Sequence, residues 1–171
     1  MEKIQLKLPG LRIIKTAIAV FCCFIIAILR GHTDSVFYSV IAAIICLRSD
    51  MKTALSSGLS RMLGTFIGGF VGLLWLYAEL GRWLSIYPVA NYFCMSLVVV
   101  FLIWLISTIR QPNSATITVV VFFSIVLNHG NDINPLLFAY NRVVETIIGV
   151  VLAVVLNWIP FLRKDYPRKH F

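Results

Sequence analysis

Charged residues are scarce in this chain of 171 residues: aspartate, glutamate, lysine and arginine together make up 13% of it, and only seven residues are acidic. Soluble globular domains carry about twice that charged fraction. Hydrophobic residues account for 60% of the chain, and the mean hydropathy is +0.91. The composition therefore excludes a soluble globular protein and predicts an integral membrane protein, with room for about six spans of about 20 residues.

The sequence also lacks the motifs that nucleotide-driven pumps and common membrane enzymes require. It contains no Walker sequence, no HExxH, no GxSxG and no glycine-rich dinucleotide loop. The cysteines show no CxxC spacing and no neighbouring histidine cluster, so we interpret them as small hydrophobic residues: Cys22, Cys23, Cys46 and Cys94. We therefore expect no enzyme activity, no cofactor and no metal site.

Apolar runs, punctuated by polar residues, proline and glycine, predict six transmembrane helices. They cover residues of about 12–29, 35–47, 58–78, 90–109, 114–128 and 136–161. The second and fifth runs are too short to cross about 30 Å of hydrocarbon as straight helices. We expect these two helices to be broken, deeply buried or extended by their polar flanks.

A repeated motif indicates that the chain consists of two similar halves. The pattern Arg-x-x-x-Thr-x-Ile-Gly begins at Arg61 and again at Arg142, and a looser copy begins at Arg12. The segment Ser-Val-Phe-Tyr-Ser-Val-Ile from Ser35 also aligns with Ser-Ala-Thr-Ile-Thr-Val-Val from Ser114, at nearly the same separation. The duplication therefore covers more than one motif.

The predicted halves, about residues 8–79 and 88–162, lie within a single membrane domain of residues 1–171. Because each half holds three spans, an odd number, the second half enters the membrane from the opposite side. The fold class that we predict is an all-α integral membrane protein with six transmembrane helices in two inverted three-helix repeats. Such repeats place a binding site near the centre of the membrane.

The distribution of lysine and arginine predicts the orientation. An N-terminus inside the cell leaves only Arg30, Arg82 and Arg142, of 15 lysine and arginine residues, facing outward. Both termini are then cytoplasmic, and residues 163–171 form a short basic cytoplasmic tail that lies on anionic headgroups. The same bias explains the net charge of +8 without a nucleic-acid partner.

Arg142 and Glu145 are the main candidates for transport chemistry. They are three residues apart, so they share one helical face and can pair. Arg142, with Arg61 at the equivalent place in the first half, would attract an anionic substrate, and Glu145, the acid furthest into an apolar run, would cycle a proton. The alternative is a charge pair at the outer interface. Lys15 either meets Glu145 across the bundle or anchors in cytoplasmic headgroups.

Small residues lie along the same helices. Thr65 and Thr146 follow the two arginines by one turn and would hydrogen-bond across a helix contact or to their own preceding carbonyls. The glycines have the small-x-x-x-small spacing that allows close helix packing, and the residues assigned to packing are Gly64, Gly68, Gly72 and Gly149.

Four ordered segments carry a resemblance to a known family. They are Arg-x-x-Lys-Thr from Arg12, Tyr-Ser-Val-Ile-Ala-Ala from Tyr38, Arg-x-x-Gly-Thr-x-Ile-Gly-Gly from Arg61 and Arg-x-x-Glu-Thr-x-Ile-Gly from Arg142. Together they resemble the membrane domain of the aromatic acid exporter family, part of the fusaric acid resistance protein group. The resemblance implies proton-coupled export of aromatic carboxylates or similar organic anions, from a plasma (inner) membrane.

The resemblance also bears on partners. Larger members hold two such membrane units in one chain, which implies a homodimer or higher homo-oligomer here. This chain ends soon after the sixth span, without the cytoplasmic C-terminal domain that many relatives carry, so the need for a separate cytoplasmic partner stays open. The expected partners are a small organic anion and the lipid bilayer. A non-transporting scaffold or accessory subunit, and a passive anion channel, remain as alternatives.

Overall fold

The computed structural model describes residues 11–31, 36–48, 50–78, 87–128 and 134–159. These residues form six α-helices and contain no strand, which confirms the all-helical prediction for them. The helices are α1 (Leu11–Arg30), α2 (Val36–Cys46), α3 (Met51–Tyr77), α4 (Pro88–Thr108), α5 (Ala115–Asn128) and α6 (Pro135–Trp158). The predicted basic tail, residues 163–171, lies outside the described ranges.

Four helices are long and apolar enough to cross a membrane, namely α1, α3, α4 and α6. The other two are short, as the sequence predicts: α2 has 11 residues and α5 has 14. At about 1.5 Å per residue, α2 rises about half the thickness of the hydrocarbon core. A 3-10 turn, Pro112–Ser114, leads directly into α5 and lengthens its helical path.

The helix ends follow the local sequence. Asp50 caps α3, because the backbone N–H of Thr53 donates to Asp50 Oδ2 at 3.2 Å and Thr53 Oγ1 donates to the Asp50 carbonyl at 2.9 Å. No proline follows within α3, so its polar first turns continue without a break into its apolar part. At the other end of a helix, Gly31 follows α1 with a φ of 68°, a left-handed conformation that favours glycine.

The chain divides into two compact units. Unit 1 comprises residues 1–55 and 148–171, and unit 2 comprises residues 56–147. Among the described residues, unit 1 therefore contains α1, α2, residues 51–55 of α3 and the last turns of α6. Unit 2 contains most of α3, all of α4 and α5, and the first turns of α6.

Helix α5 is the central helix of unit 2. Phe122 of α5 packs in an apolar cluster with Trp75 of α3 and Met95 of α4, and the rings of Trp75 and Phe122 meet edge to face with centroids 6.3 Å apart. A second cluster joins Ile125 of α5 to Ala139 of α6. A short helix thus buries its side chains against three longer ones, which stabilises it through apolar packing.

Glycines bring α3 into close contact with α5. A Cβ atom on Gly68 would collide with the backbone carbonyl oxygen of Thr118, and a Cβ atom on Gly64 would lie 2.9 Å from the carbonyl oxygen of Ser114. Residue numbers rise together along the two helices, so α3 and α5 run parallel. In order, the contacts are Gly64 with Ser114, Gly68 with Thr118, and Gly72 with Ile125.

The same kind of contact occurs in unit 1, between α6 and α2. A Cβ atom on Gly149 would collide with the carbonyl oxygen of Ser39 and would lie 2.6 Å from the Cβ atom of Ala42. Gly149 is the counterpart of Gly68 in the repeated motif, and Ser39 aligns with Thr118 in the repeated segment. Two pairs of equivalent residues therefore form the same backbone contact, one in each unit.

We predict that Gly68→Ala destabilises the protein, because the new methyl group meets the backbone of Thr118, which cannot move aside alone. The expected cost is about 1–3 kcal/mol. The matched control is Gly69→Ala in the same turn of α3, where a Cβ atom would meet only Ile125 Cδ1, at 3.9 Å. Thermal unfolding in detergent micelles compares the two, and equal melting temperatures would contradict the prediction.

Candidate functional site

Three charged side chains lie buried in unit 2. Arg61 is 8% exposed, Arg142 is 5% exposed and Glu145 is 1% exposed. Within the described ranges these are the buried charged residues. Such residues are rare inside membrane helices, where they mark ligand sites, ion pathways or proton relays. The two main candidates from the sequence, Arg142 and Glu145, and the further candidate Arg61 therefore share one compact unit.

The repeated motif takes the same local structure in both copies. Thr65 Oγ1 donates to the carbonyl oxygen of Arg61 at 2.9 Å, and Thr146 Oγ1 donates to the carbonyl oxygen of Arg142 at 2.9 Å. Of the two bonding patterns expected for these threonines, the structure has the one within the helix. Each hydroxyl is satisfied by its own helix, so the threonine can lie in an apolar contact without a further partner.

The formal charges of the buried side chains in unit 2 do not sum to zero. Two guanidinium groups and one carboxylate are buried among its described residues, which leaves an excess of one positive charge. Each of the three side chains takes part in at least one interaction within the structure. Arg142 and Glu145 lie three residues apart on α6, so the carboxylate shares a face with one arginine of its own helix.

A cluster of small polar residues surrounds the start of α5. Ser60 Oγ donates to Gln111 Oε1 at 3.4 Å, which ties α3 to the residue before the 3-10 turn. Ser114, the last residue of that turn, is fully buried. The residue after Ser60 is Arg61, so this buried guanidinium branches from α3 at the level of the 3-10 turn. Ser60 and Ser114 were not predicted as site residues, and the equivalence of Ser114 to Ser35 was the only sequence signal that singled out either.

Lys15 is the candidate that the structure does not bring into unit 2. It lies on α1, in unit 1, and is partly buried. Its pairing with Glu145 stays a prediction. The described parts of the chain hold no group of three or more histidine, cysteine or acidic residues that could bind a metal ion.

Comparison with known proteins adds one finding. A family model described as fusaric acid resistance protein-like matches residues 21–156 of this chain. That range contains both copies of the arginine motif, both short helices and all three buried charged residues. Neither the curated proteins nor the solved structures include a significant match to the chain.

We predict that Arg142 and Glu145 are energetically coupled. Removing either member of a buried charge set leaves the other charge without its neighbour, whereas removing both does not. In a double-mutant cycle with Arg142→Met and Glu145→Leu, we expect a coupling of about 0.5–3 kcal/mol. The measurement is the free energy of unfolding from SDS titration in micelles.

The control cycle combines Glu145→Leu with Arg110→Met. Arg110 is exposed, and an exposed charge contributes little to stability. Additive effects in the Arg142 cycle as well as in the Arg110 cycle would show that Arg142 and Glu145 do not act as a pair.

Proposed function

The chain belongs to the fusaric acid resistance protein-like family, and from that premise we propose that it is a membrane transporter that exports small aromatic carboxylates or similar organic anions, coupled to protons. Family membership and the four long apolar helices support a membrane transport protein. The observation that carries the anionic substrate is the excess of buried positive charge in unit 2, from Arg61 and Arg142 against Glu145.

An organic anion fits this environment for two reasons. A guanidinium group binds a carboxylate with two parallel hydrogen bonds, and such charge-assisted bonds are about twice as strong as neutral ones. An aromatic or aliphatic body, in turn, suits a site surrounded by apolar helices. An inorganic anion would satisfy the charge but would gain nothing from the apolar surroundings.

Glu145 is the proposed coupling residue. It is the buried acid among the described residues, and it lies one helical turn from Arg142. In its charged form it competes with the substrate carboxylate for the same positive field, whereas in its protonated form it does not. Protonation of Glu145 and binding of the anion therefore affect each other, which is the linkage through which a proton gradient can act on the carrier.

Two features support an inverted repeat of three helices. A six-span path requires α3 and α5 to cross the membrane in the same direction, and their contacts run parallel. It also predicts equivalent contacts in the two halves, and Gly68 on Thr118 matches Gly149 on Ser39. Arg61 and Arg142 would then lie towards opposite sides of a plasma membrane with cytoplasmic termini, in a protein that forms a homodimer or higher homo-oligomer.

We predict that the exposed residues between helices alternate between the two sides of the membrane. Single cysteines replace Arg48, Tyr87, Asn113 or Asn134, all exposed, in a variant whose native cysteines are alanine. A membrane-impermeant maleimide should label Tyr87→Cys and Asn134→Cys on intact cells, and Arg48→Cys and Asn113→Cys only in inside-out vesicles. Labelling of Arg48→Cys on intact cells would mean that α2 does not span.

We predict that the protein moves aromatic carboxylates against their gradient. The experiment measures uptake of hydroxylated benzoates and cinnamates into inside-out vesicles with an acidic interior. Wild-type vesicles should accumulate substrate, and Glu145→Gln should abolish the part that depends on the proton gradient, because glutamine cannot release a proton. The matched control is Asp50→Asn, an exposed acid at a helix start, where asparagine caps equally well.

Each outcome separates the possible functions. Uptake lost in Glu145→Gln and kept in Asp50→Asn supports the proton-coupled exporter. Flux that follows the anion gradient alone and persists in Glu145→Gln indicates a passive channel. Uptake no greater than in empty membranes, with the protein shown to be inserted, refutes transport of these compounds and leaves a scaffold or accessory subunit.

A further inference from the structure

The start of α5 lies beside a buried arginine of α3. Two contacts between these parallel helices flank Arg61 along α3. Ser60, just before it, donates a hydrogen bond to Gln111, and Gly64, three residues after it, approaches the carbonyl oxygen of Ser114. Arg61 branches from α3 between them. The backbone of Arg61 and the first turn of α5 therefore belong to the same region of unit 2.

The first turn of a helix is a positive site in its own right. The aligned peptide dipoles place a partial positive charge there. Here Pro112 has no N–H group, and the N–H groups of Ser114 and Ala115 donate to the carbonyl oxygens of Gln111 and Pro112, so the helix contributes its dipole rather than open donors. Phosphates and carboxylates bind at such positions in many proteins. Here the helical path begins at Pro112 and continues through α5 as one apolar stretch, Pro112–Leu127, long enough to sustain that dipole.

Ser114 provides an independent sign of a ligand. Its side chain is fully buried, and its hydroxyl has no hydrogen-bond partner among the residues that the structure describes. Ser114 is the third residue of the helical path, and the Cα–Cβ bonds of a helix tilt towards its N-terminus, so the Ser114 side chain leaves the backbone in that direction. A buried hydroxyl without a partner destabilises the folded protein, a cost that an alanine at this position would not have.

We propose that Ser114 and the N-terminal turn of α5, with Arg61, form the subsite that binds the carboxylate of the transported anion. The Ser114 hydroxyl donates a hydrogen bond to one carboxylate oxygen, and the guanidinium of Arg61 supplies the countercharge. This inference rests on the proposed function, since it assigns the polar end of the substrate to one place in unit 2. Ser114 binds the substrate, and the site distinguishes a carboxylate from a neutral group of the same shape.

The close helix contact explains why the subsite needs small residues. Gly64 lies opposite Ser114 and Thr118, and its missing Cβ atom lets α3 approach the first turn of α5. Thr118 donates its hydroxyl to the carbonyl oxygen of Ser114 at 2.8 Å, so that carbonyl is already engaged. The Ser114 hydroxyl is left as the buried polar group of this turn that has no hydrogen-bond partner among the described residues.

Binding of benzoate and of benzamide to the purified protein in detergent tests the proposal. Benzamide has nearly the same shape as benzoate but no charge. We expect Ser114→Ala to raise the dissociation constant for benzoate about 10- to 100-fold, because it removes a hydrogen bond to a charged group. Weak binding of benzamide should stay unchanged, and Ser114→Cys, which keeps the volume and a weak donor, should give an intermediate value.

Two controls distinguish binding from folding. Ser96→Ala removes an exposed serine hydroxyl that donates to the Tyr92 carbonyl at 2.8 Å, and it should leave benzoate binding unchanged. The melting temperature of ligand-free Ser114→Ala should equal or exceed that of the wild type, because the deleted hydroxyl had no partner. A lower melting temperature together with wild-type affinity would indicate a structural serine and overturn the proposal.

The outcomes separate this inference from the proposed function. Wild-type protein that binds benzoate while Ser114→Ala binds it equally well refutes the subsite alone. Wild-type protein that neither binds benzoate nor takes up aromatic carboxylates into vesicles refutes the proposed function, and the subsite with it. Loss of benzoate binding in Ser114→Ala, with benzamide binding kept, supports both.

Discussion

The approach of helix backbones at two glycines is the constraint on which the rest of this structure depends. Gly68 and Gly149 each lie where any Cβ atom would collide with a carbonyl oxygen of the neighbouring helix, Thr118 in one unit and Ser39 in the other. In a bilayer, where lipid is as apolar as the side chains, close packing of this kind is what holds helices together. Both hydroxyls at these crossings, Ser39 and Thr118, donate to carbonyl oxygens of their own helices, so neither needs a partner across the contact.

The same contacts determine where charge can be buried. Arg61 and Arg142 each lie seven residues, about two helical turns, before the glycine of the helix contact, Gly68 or Gly149. The arginine therefore lies on nearly the same helix face as that glycine. A charge in low dielectric interacts strongly with any group near it. Arg61 thus branches from α3 at the level of the first turn of α5, because the contact at Gly68 fixes how far α3 is shifted along α5. Glu145 shares a helix face with Arg142 because the two are three residues apart.

Much of this arrangement can be predicted from sequence, for identifiable reasons. Long apolar runs determine the six helices, and a repeated motif identifies Arg61, Arg142 and Glu145, since charge within such runs is rare. Which helices pack against each other could not be predicted, because in a bilayer every helix is apolar on most of its surface, and the pattern of apolar residues does not identify the neighbouring helix. Ser114 was missed for the same reason: a single serine carries no pattern until the facing Gly64 and the unbonded hydroxyl are seen together.

The short helices follow from the same physics. A helix that ends within the hydrocarbon leaves backbone groups unsatisfied, which lipid does not tolerate unless protein or a polar cavity surrounds the end. Helix α5 is surrounded by α3, α4 and α6, and its first turn lies against α3 at Ser60 and Gly64. At that end Gln111 and Asn113 are exposed, whereas Ser114, the next residue along the chain, is fully buried. The proposed anion site uses this change from exposed to buried backbone, because a ligand that enters from the exposed residues meets the buried Ser114 one residue further in.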